Sequence, residues 1–231
     1  MLDWQKNKPF VNTFAHLTKL DTFVRNLKDS KTNQPKREVA NRELILDTAI
    51  DLGSEQGWQK LTVRNLAQRL HYAPPVLYQF FKNKEDLFKA IVQRGFDELN
   101  QSLNQALSSK RAARDKLLEF GIARYLFAVH QSSLHALMFS PGAPEWHRKI
   151  LSKNIQTVHQ TVHGLMQSIS GRNDNCKDLV LNFICLIKGY TFFTNEIYPN
   201  KHKKEIIGEL DPTLEFVGAM TRFIKSIEEN E

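Results

Sequence analysis

Residues 61–88 read LTVRNLAQRLHYAPPVLYQFFKNKEDLF, and this stretch decides how the rest of the chain is interpreted. It contains two short amphipathic patterns, one over residues 63–70 and one over residues 76–81. In both, apolar residues recur three or four positions apart, which is the spacing of a helix with one buried face. Residues 71–73 leave room only for a tight turn, so the two helices must cross steeply. That arrangement predicts a helix-turn-helix whose second helix faces outward.

The same stretch resembles the TetR family of transcriptional regulators. It has T-x-x-x-L-A at residues 62–67, P-x-L-Y at residues 75–78 and F-K-N-K-E-D-L at residues 81–87. The spacing agrees as well as the residue identities. The resemblance implies an all-α fold, with an N-terminal three-helix helix-turn-helix domain and a larger C-terminal helical domain for ligand binding and dimerisation.

Two positions in the turn depart from the family pattern. His71 stands where the family usually has glycine in a left-handed backbone, and histidine is among the non-glycine residues that tolerate this geometry best. We expect the turn to survive with some strain. Ala73 replaces a frequent serine cap, so the second helix of the motif lacks a side-chain cap. We place Pro74 as the cap and Pro75 as the first helical residue, because a residue before proline avoids helical geometry.

The resemblance and the exposed positions of the motif predict a DNA-binding surface. Tyr78 and Lys84 match residues that commonly touch phosphates in the family. Arg64 and the first-turn amides of the helix capped by Thr62 are expected to hold another phosphate. Gln79 suits an adenine edge, and the apolar residues beside it suit thymine methyls, so we expect half-sites that lean toward A and T. The predicted DNA-binding residues are Thr62, Arg64, Tyr72, Ala73, Pro74, Val76, Tyr78, Gln79, Lys82 and Lys84.

We divide the chain into three segments. Residues 1–36 form an N-terminal extension, residues 37–84 the helix-turn-helix domain, and residues 85–231 the ligand-binding and dimerisation domain. The extension has an amphipathic helical pattern over residues 14–27, followed by a polar linker. The extension would reach DNA as a basic arm, pack on the ligand domain, or result from a wrongly assigned start codon. Packing is the interpretation we prefer.

The net charge of +7 on this 231-residue chain lies mostly at its front. Residues 1–37 hold eight Lys or Arg against three Asp. A basic segment beside a helix-turn-helix suits a polyanion partner, since neutralising phosphates supplies most non-specific affinity. Solubility explains the same charge equally well.

The helical patterns run through the whole chain, with no strand-like alternation of useful length, and they predict an all-α fold. Thr62 and Asn83 are placed as N-caps. Helices are expected near residues 38–52, 62–70, 75–81, 84–107, 111–129, 133–139, 145–170, 177–197 and 212–228.

A lipophilic or aromatic ligand would suit the aromatic and sulfur-bearing side chains of the C-terminal half. Ordinary core packing explains the same residues, so both interpretations stay open. The candidate ligand-binding residues are Phe120, Tyr125, Phe127, Met138, Phe139, Trp146, His163, Phe183 and Tyr190.

The last two helices are candidates for a homodimer interface. In the resembled family the corresponding pair commonly forms a four-helix interface with its two-fold mate. Their apolar side chains suffice for both a core and an interface. The candidate interface residues are Phe183, Leu186, Tyr190, Phe193, Leu214, Val217, Met220, Phe223 and Ile224.

No catalytic, metal or cofactor site is predicted. His159 and His163 share a helix face at metal-binding spacing, but no third ligand follows at a matching offset. The nucleophile elbow, the phosphate-cradling glycine loop and the zinc motif H-E-x-x-H are not found. Cys176 and Cys185 are interpreted as reduced structural thiols. Without an apolar signal segment or membrane span, we expect a cytoplasmic protein with no membrane partner.

These observations predict a homodimeric DNA-binding regulator, interpreted as a repressor that a small-molecule effector releases from a near-palindromic double-stranded operator. No enzyme activity is expected. The alternative is a ligand-sensing or protein-interaction module whose helix-turn-helix is vestigial. His71, Ala73 and the two prolines favour that alternative, whereas the retained Tyr78 and Lys84 oppose it.

Overall fold

The computed structural model describes residues 42–108, 110–171, 176–198 and 210–228, which form nine α-helices. They are α1 Arg42–Gln56, α2 Val63–Arg69, α3 Pro74–Tyr78, α4 Lys84–Leu107, α5 Ala113–His130, α6 Ser132–Met138, α7 Glu145–Ser170, α8 Lys177–Phe192 and α9 Pro212–Glu228. A π-helical turn, Phe193–Ile197, continues α8. No strand occurs in the described part of the chain, so the all-α prediction is confirmed. The predictions for residues 1–36 lie outside the described residues.

Helix α1 ends later than its sequence predicted. It runs through Gly53 to Gln56 and stops before Gly57, whose φ of 90° is left-handed. Gly53 stays inside the helix because the Trp58 ring lies against its backbone, where any added Cβ would overlap the ring. The predicted end at Leu52 is therefore wrong, because that glycine serves close packing rather than helix termination.

Helices α1 to α3 enclose a small core of their own. Leu66 from α2, Leu77 from α3 and Phe81 after α3 are each at most 2% exposed. Ile45 and Ala49 from α1 are fully buried on the same core. These apolar contacts fix the angle between the two short helices of the motif.

Arg94 ties this N-terminal bundle to the long helix α4. Its guanidinium binds Glu98 on its own helix at 2.9 Å, and it also binds Glu43 and Asp47 of α1. The hydrogen bond to Glu98, followed by the charges of the three carboxylates, raises the pKa of Arg94. Helix α4 is therefore held to α1 by charge as well as by apolar packing.

Helix α5 forms the centre of the C-terminal half. Tyr125 is fully buried and stacks on Phe216 of α9, with ring centroids 4.2 Å apart. Phe120 lies 6.5 Å from Phe183 of α8, again between ring centroids. At Gly121 the backbone comes so close to Phe183 that an added Cβ would lie 3.3 Å from its ring. Within the described residues, no helix is both long and apolar enough to cross a membrane.

Candidate nucleic-acid interface and C-terminal cavity

The turn between α2 and α3 is closed by a pair of backbone hydrogen bonds. The His71 amide donates to the Gln68 carbonyl at 3.2 Å, and the Tyr72 amide donates to the Ala67 carbonyl at 2.9 Å. This pair is the Schellman pattern that ends helices, and it requires a left-handed residue after the cap. His71 supplies it with φ of 56°. The prediction that histidine accepts this geometry in place of glycine is confirmed.

The start of α3 differs from its prediction. Ala73 is the N-cap, with an extended backbone and no side-chain cap, and Pro74 and Pro75 occupy the first two helical positions. Placing Pro74 as the cap was wrong. Amides at the first two positions have no partner inside a helix, so neither proline loses a bond there. The residue that proline pushes out of helical geometry is therefore Ala73.

The start of α2 is capped as predicted, and in both directions. The Asn65 amide donates to the Thr62 hydroxyl at 3.2 Å, while the Thr62 amide donates to the Asn65 side chain at 2.8 Å. This is a capping box with Asn in place of the usual Glu. It fixes where the first-turn amides of α2 point, next to the exposed Arg64.

The outer side of α3 is exposed at residues that were predicted to contact DNA. Tyr78 is 53% exposed and Gln79 is exposed, while the intervening core residue Leu77 is 2% exposed. Tyr72 and Val76 are half-buried, so only part of each side chain is open to a partner. The remaining predicted DNA-binding residues are exposed: Thr62, Arg64, Ala73, Pro74, Lys82 and Lys84. The predicted contacts themselves stay predictions.

Helix α4 begins at the same surface. Asn83 caps it, as predicted, by accepting a hydrogen bond from the Asp86 amide at 2.8 Å. The exposed Lys84 is its first residue, and the Lys84 ammonium lies 5.4 Å from the centroid of the Phe88 ring. A phosphate bound by Lys84 would therefore contact the helix that runs on into the C-terminal half.

A cavity of about 480 Å³ lies between α5, α6, α8 and the π-helical turn. Its volume is within the range of small-molecule sites. The lining residues are Arg124, Ser132, Ser133, His135, Ala136, Phe139, Ile187, Lys188, Thr191, Phe192, Asn195 and Glu196. The π-helical turn is fixed on α5, because the Asn195 amide group donates to the Ala128 carbonyl at 3.1 Å and Thr194 bonds the Tyr125 hydroxyl at 2.9 Å.

Of the nine candidate ligand-binding residues, Phe139 alone lines this cavity. Five are at most 2% exposed and belong to the core: Phe120, Tyr125, Phe127, Met138 and Phe183. Trp146, His163 and Tyr190 are half-buried away from it. The cavity therefore takes a different set of residues from the aromatic set that the sequence favoured.

The electrostatics of the cavity centre on Arg124. Part of this side chain is accessible from the cavity, but the surrounding protein removes most of its water. Burial lowers the pKa of Arg124 to about 10, so the guanidinium stays charged at neutral pH. Burial, followed by the charges of Arg124 and Lys188, lowers the pKa of His135 to about 4, which keeps its imidazole neutral.

The sequence contained a signal for Arg124 that periodicity alone did not use. Arg124 is the single charged residue in FGIARYLFAV, residues 120–129, an otherwise apolar segment of α5. A lone charge in such a helix is costly unless it has a partner or a task. Thr191 and Asn195 carry no comparable signal, because a single neutral polar residue is common in helices.

One wall of the cavity is attached to the N-terminal bundle. The Trp58 indole nitrogen donates to the carbonyl of Ser133, a cavity-lining residue of α6, at 2.9 Å. Gly95 of α4 packs on the same helix so closely that an added Cβ would lie 2.6 Å from the Met138 sulfur. Helix α6 therefore lines the cavity and also contacts Trp58 and α4, which adjoin the DNA-binding motif.

The candidate interface residues divide by burial. Phe183, Val217, Met220 and Ile224 lie in the core of the single chain, at most 5% exposed. Leu186, Tyr190, Phe193 and Phe223 are half-buried, and Leu214 is 46% exposed. A second chain would thus meet the latter group, together with the 60% exposed Leu181 of α8. Their role in a dimer stays a prediction.

The remaining candidate groups are the histidine pair on α7 and the two cysteines. His159 and His163 stack with ring centroids 6.2 Å apart, and no cluster of three or more His, Cys, Asp or Glu able to hold a metal occurs among the described residues. Both cysteines are free thiols, with Cys176 buried and Cys185 exposed. Both are free, as the interpretation of reduced thiols requires, but Cys185 is exposed on α8 and only Cys176 packs in the core.

The α2-turn-α3 unit, capped at α2 and open along α3, is a helix-turn-helix of the kind found in DNA-binding proteins. Residues 45–91 match the family model described as bacterial regulatory proteins, tetR family. This segment therefore belongs to the TetR family, as the resemblance of residues 62–87 indicated.

Two curated relatives support the assignment. The HTH-type transcriptional activator FasR of Mycolicibacterium smegmatis is 31% identical over 107 residues, covering 46% of this chain and 48% of FasR. The biofilm operon icaADBC HTH-type negative transcriptional regulator IcaR of Staphylococcus aureus is 23% identical over 121 residues, covering 52% and 64%. The chain thus aligns with less than two thirds of each relative.

The likeness in fold extends further along the chain. A TetR/AcrR-family transcriptional regulator from Thermobifida fusca superposes with a TM-score of 0.63 at 15% identity, covering 82% of this chain and 98% of that one. At this identity the likeness speaks for the fold alone. It extends over the C-terminal helices, which the family model does not cover.

Proposed function

We propose that this protein is a homodimeric transcriptional regulator that binds double-stranded DNA through α2 and α3 and is released by a small molecule bound to its C-terminal half. The observation that carries the proposal is the family helix-turn-helix at residues 45–91, folded with Tyr78 and Gln79 outward. The proposal keeps residues 37–84 as the DNA-binding domain and residues 85–231 as the ligand-binding and dimerisation domain. It assigns no catalytic activity and a cytoplasmic location.

The α3 surface divides into groups for phosphates and groups for bases. Tyr78, Lys84 and the first-turn amides of α2 would hold phosphates, which position the protein without reading sequence. Gln79 would accept and donate to an adenine edge, and Ala73, Pro74 and Val76 would contact thymine methyls. A reading helix with one amide and several apolar groups favours half-sites that lean toward A and T.

Dimerisation sets the geometry of the operator. Two copies related by a two-fold axis would place their α3 helices in successive major grooves, about one helical turn of 34–36 Å apart. The operator would then be a near-palindrome. Leu181 and Leu214, exposed apolar residues of α8 and α9, would lie between the two copies.

The direction of regulation is proposed as repression. IcaR is described as a negative regulator and FasR as an activator, so relatives of both kinds exist. A repressor requires only that DNA binding block transcription and that ligand binding weaken it. Occupancy of the cavity would act on α6, and through the Trp58 and Gly95 contacts on α1 and α4.

The alternative of a vestigial helix-turn-helix loses its main support in the turn itself. His71 and Ala73 replace the residues expected there, yet both Schellman bonds form and α3 begins immediately after Ala73. The substitutions therefore alter the chemistry of the turn without removing its geometry. That favours a working motif.

A gel-shift assay on the DNA flanking the protein's own gene tests the proposal. We expect a band that resists excess unrelated duplex. Lys84→Ala should weaken binding to all duplexes and lower the slope of log affinity against log salt by about one. Gln79→Ala should instead relax preference at one base position by about 1–3 kcal/mol.

Lys153→Ala is the matched control for Lys84→Ala, since Lys153 is exposed on α7, outside the helix-turn-helix. It should leave the salt slope unchanged. Absence of a competitor-resistant band would favour the vestigial alternative. Selection from random duplexes that returned G-rich half-sites would contradict the proposed role of the α3 surface.

A further inference from the structure

Arg124 lies in the cavity without a counterion among the described residues. Its guanidinium carbon lies 5.2 Å from the centroid of the Phe139 ring, and it forms no hydrogen bond or salt bridge within the described part of the chain. Stacking on a ring leaves the edge of a guanidinium, with its N–H donors, available to another group. Because this half-buried cation has unused donors in a partly enclosed cavity, the site favours an anion that would pair with it.

The other polar groups that line the cavity fit the same anion. The Thr191 hydroxyl is buried and has no hydrogen-bond partner within the described residues. Lys188 adds a second positive charge, and Glu196 is the single acidic residue among the described lining residues. His135 is neutral at physiological pH, so it adds no charge to the cavity. The described lining residues therefore carry a net charge of about one positive unit.

The apolar part of the lining is formed by Ala136, Phe139, Ile187 and Phe192, beside the polar Ser132, Ser133 and Asn195. Ile187 is 3% exposed, Phe139 is half-buried, and Phe192 lies at the solvent side with 61% of its surface exposed. These side chains would cover a hydrocarbon or aromatic body, while the charged groups take one end of the molecule. A fully charged or fully apolar ligand would leave one part of this lining unmatched.

We propose that this cavity binds an organic anion with a single carboxylate or phosphate head group held by Arg124 and Thr191, and an apolar body packed against Phe139 and Ile187. The binding itself needs only the cavity, whereas its effect on DNA rests on the proposed function. The candidate is larger than an inorganic anion, since the cavity holds about 480 Å³.

Isothermal titration calorimetry with matched probes tests the head group. The probes are 6-phenylhexanoate, octanoate, octyl phosphate, the neutral amide 6-phenylhexanamide, and inorganic phosphate. We expect at least one amphipathic anion to bind one equivalent, and 6-phenylhexanoate to bind about tenfold or more tightly than its amide, because charge-assisted hydrogen bonds to Arg124 form only with the acid. The relative affinity of octanoate and octyl phosphate then distinguishes the two head groups.

Arg124→Met should remove the preference for the acid over the amide, because Met keeps the apolar stem and deletes the guanidinium. Arg148→Met is the matched control, since Arg148 is exposed on α7, and it should preserve the preference. If Arg124→Met fails to fold, as judged by circular dichroism, Thr191→Val replaces it. That change is nearly isosteric and should weaken the acid several-fold while leaving the amide within about twofold.

Equal affinity for acid and amide, or a preference that survives Arg124→Met, would overturn the assignment. Binding of inorganic phosphate as tight as octyl phosphate would also overturn it, because the apolar body would then contribute nothing. Failure of every organic anion to bind would do the same. The titrations contain no DNA, so a negative gel shift would refute the proposed function and leave this inference standing, and the reverse also holds.

Discussion

The DNA-binding surface and the C-terminal cavity both present cations, but they hold them in opposite environments. Lys84 and Arg64 lie in solvent, where salt screens them and each contact adds little beyond its share of counterion release. Arg124 lies in a partly enclosed cavity, stacked on Phe139 and without a salt-bridge partner among the described residues, so salt screens its charge less. The first arrangement suits a polyanion of many similar phosphates, and the second suits selection of one molecule.

The two regions also have separate cores. The N-terminal bundle has its own small core around Leu66, while the C-terminal core is built on α5. Arg94 and Trp58 are the described polar contacts that reach from one to the other. The following substitutions test whether the two regions behave independently.

The largest effect is expected from Leu66→Ala, which empties the core of the N-terminal bundle. Leu66 is fully buried, so the free energy of unfolding of this bundle should fall by about 3 kcal/mol. Urea denaturation followed by circular dichroism measures the loss. DNA binding should fall with it, while titration of 6-phenylhexanoate into the cavity should still give one equivalent at low urea.

Ile155→Ala is the control for that experiment. Ile155 is 48% exposed on α7, outside the proposed sites, so its removal should change the unfolding free energy by less than about 0.5 kcal/mol. If Leu66→Ala abolished cavity binding as completely as DNA binding, the two regions would be one cooperative unit and the division would be wrong.

A smaller effect is expected from Trp58→Phe, which removes the indole N–H but keeps a ring against Gly53. The lost hydrogen bond to the Ser133 carbonyl should cost about 1 kcal/mol. The anion's effect on DNA affinity should shrink, while the two separate affinities change by less than about threefold. Fluorescence anisotropy of labelled operator, with and without the anion, measures this coupling.

Trp146→Phe provides the matching tryptophan control. The Trp146 indole N–H is buried and has no partner among the described residues, so its removal leaves no acceptor unsatisfied. We expect unchanged coupling and unchanged or slightly higher stability. Equal loss of coupling in both variants would show that the signal does not pass through the Trp58 bond.

The smallest effect is expected from His71→Gly in the turn. Glycine adopts φ of 56° without steric cost, which His71 does not, but it also raises the entropy of the unfolded chain. The balance should stabilise the protein by up to about 1 kcal/mol, and thermal denaturation should detect it. A destabilised variant would indicate that the histidine side chain makes a contact worth more than the strain.

Local spacing made the N-terminal region predictable. The capping box at Thr62, the left-handed His71 and the buried pair Leu77 and Phe81 all follow from residues a few positions apart. The cap at Ala73 was missed because the rule that a residue before proline avoids helical geometry also applies to Pro74, which precedes Pro75. Both prolines instead occupy the first two helical positions, whose amides need no partner inside the helix. An error of this kind shifts the predicted start of α3 by one residue and leaves the predicted DNA-binding surface unchanged.

The cavity could not be predicted in the same way. Phe120 and Phe183 pack in the core, whereas Phe139 lines the cavity, although all three are phenylalanines on or beside amphipathic helices. Only long-range packing distinguishes them. The isolated charge of Arg124 in the apolar segment 120–129 was the one local clue, because charge is expensive where apolar residues surround it.

The π-helical turn at the end of α8 has a consequence for how this chain tolerates changes in length. Its wide turn is closed by the Tyr198 amide, which donates to the Phe193 carbonyl at 2.8 Å, one residue farther back than in an α-helix. Deleting one residue here would convert the turn to α-helix and rotate the side chains that follow by about 100°. Asn195 and Glu196 would then leave the cavity wall together. The rotational position of one helix about its axis, and not any single side chain, therefore determines which residues line that wall.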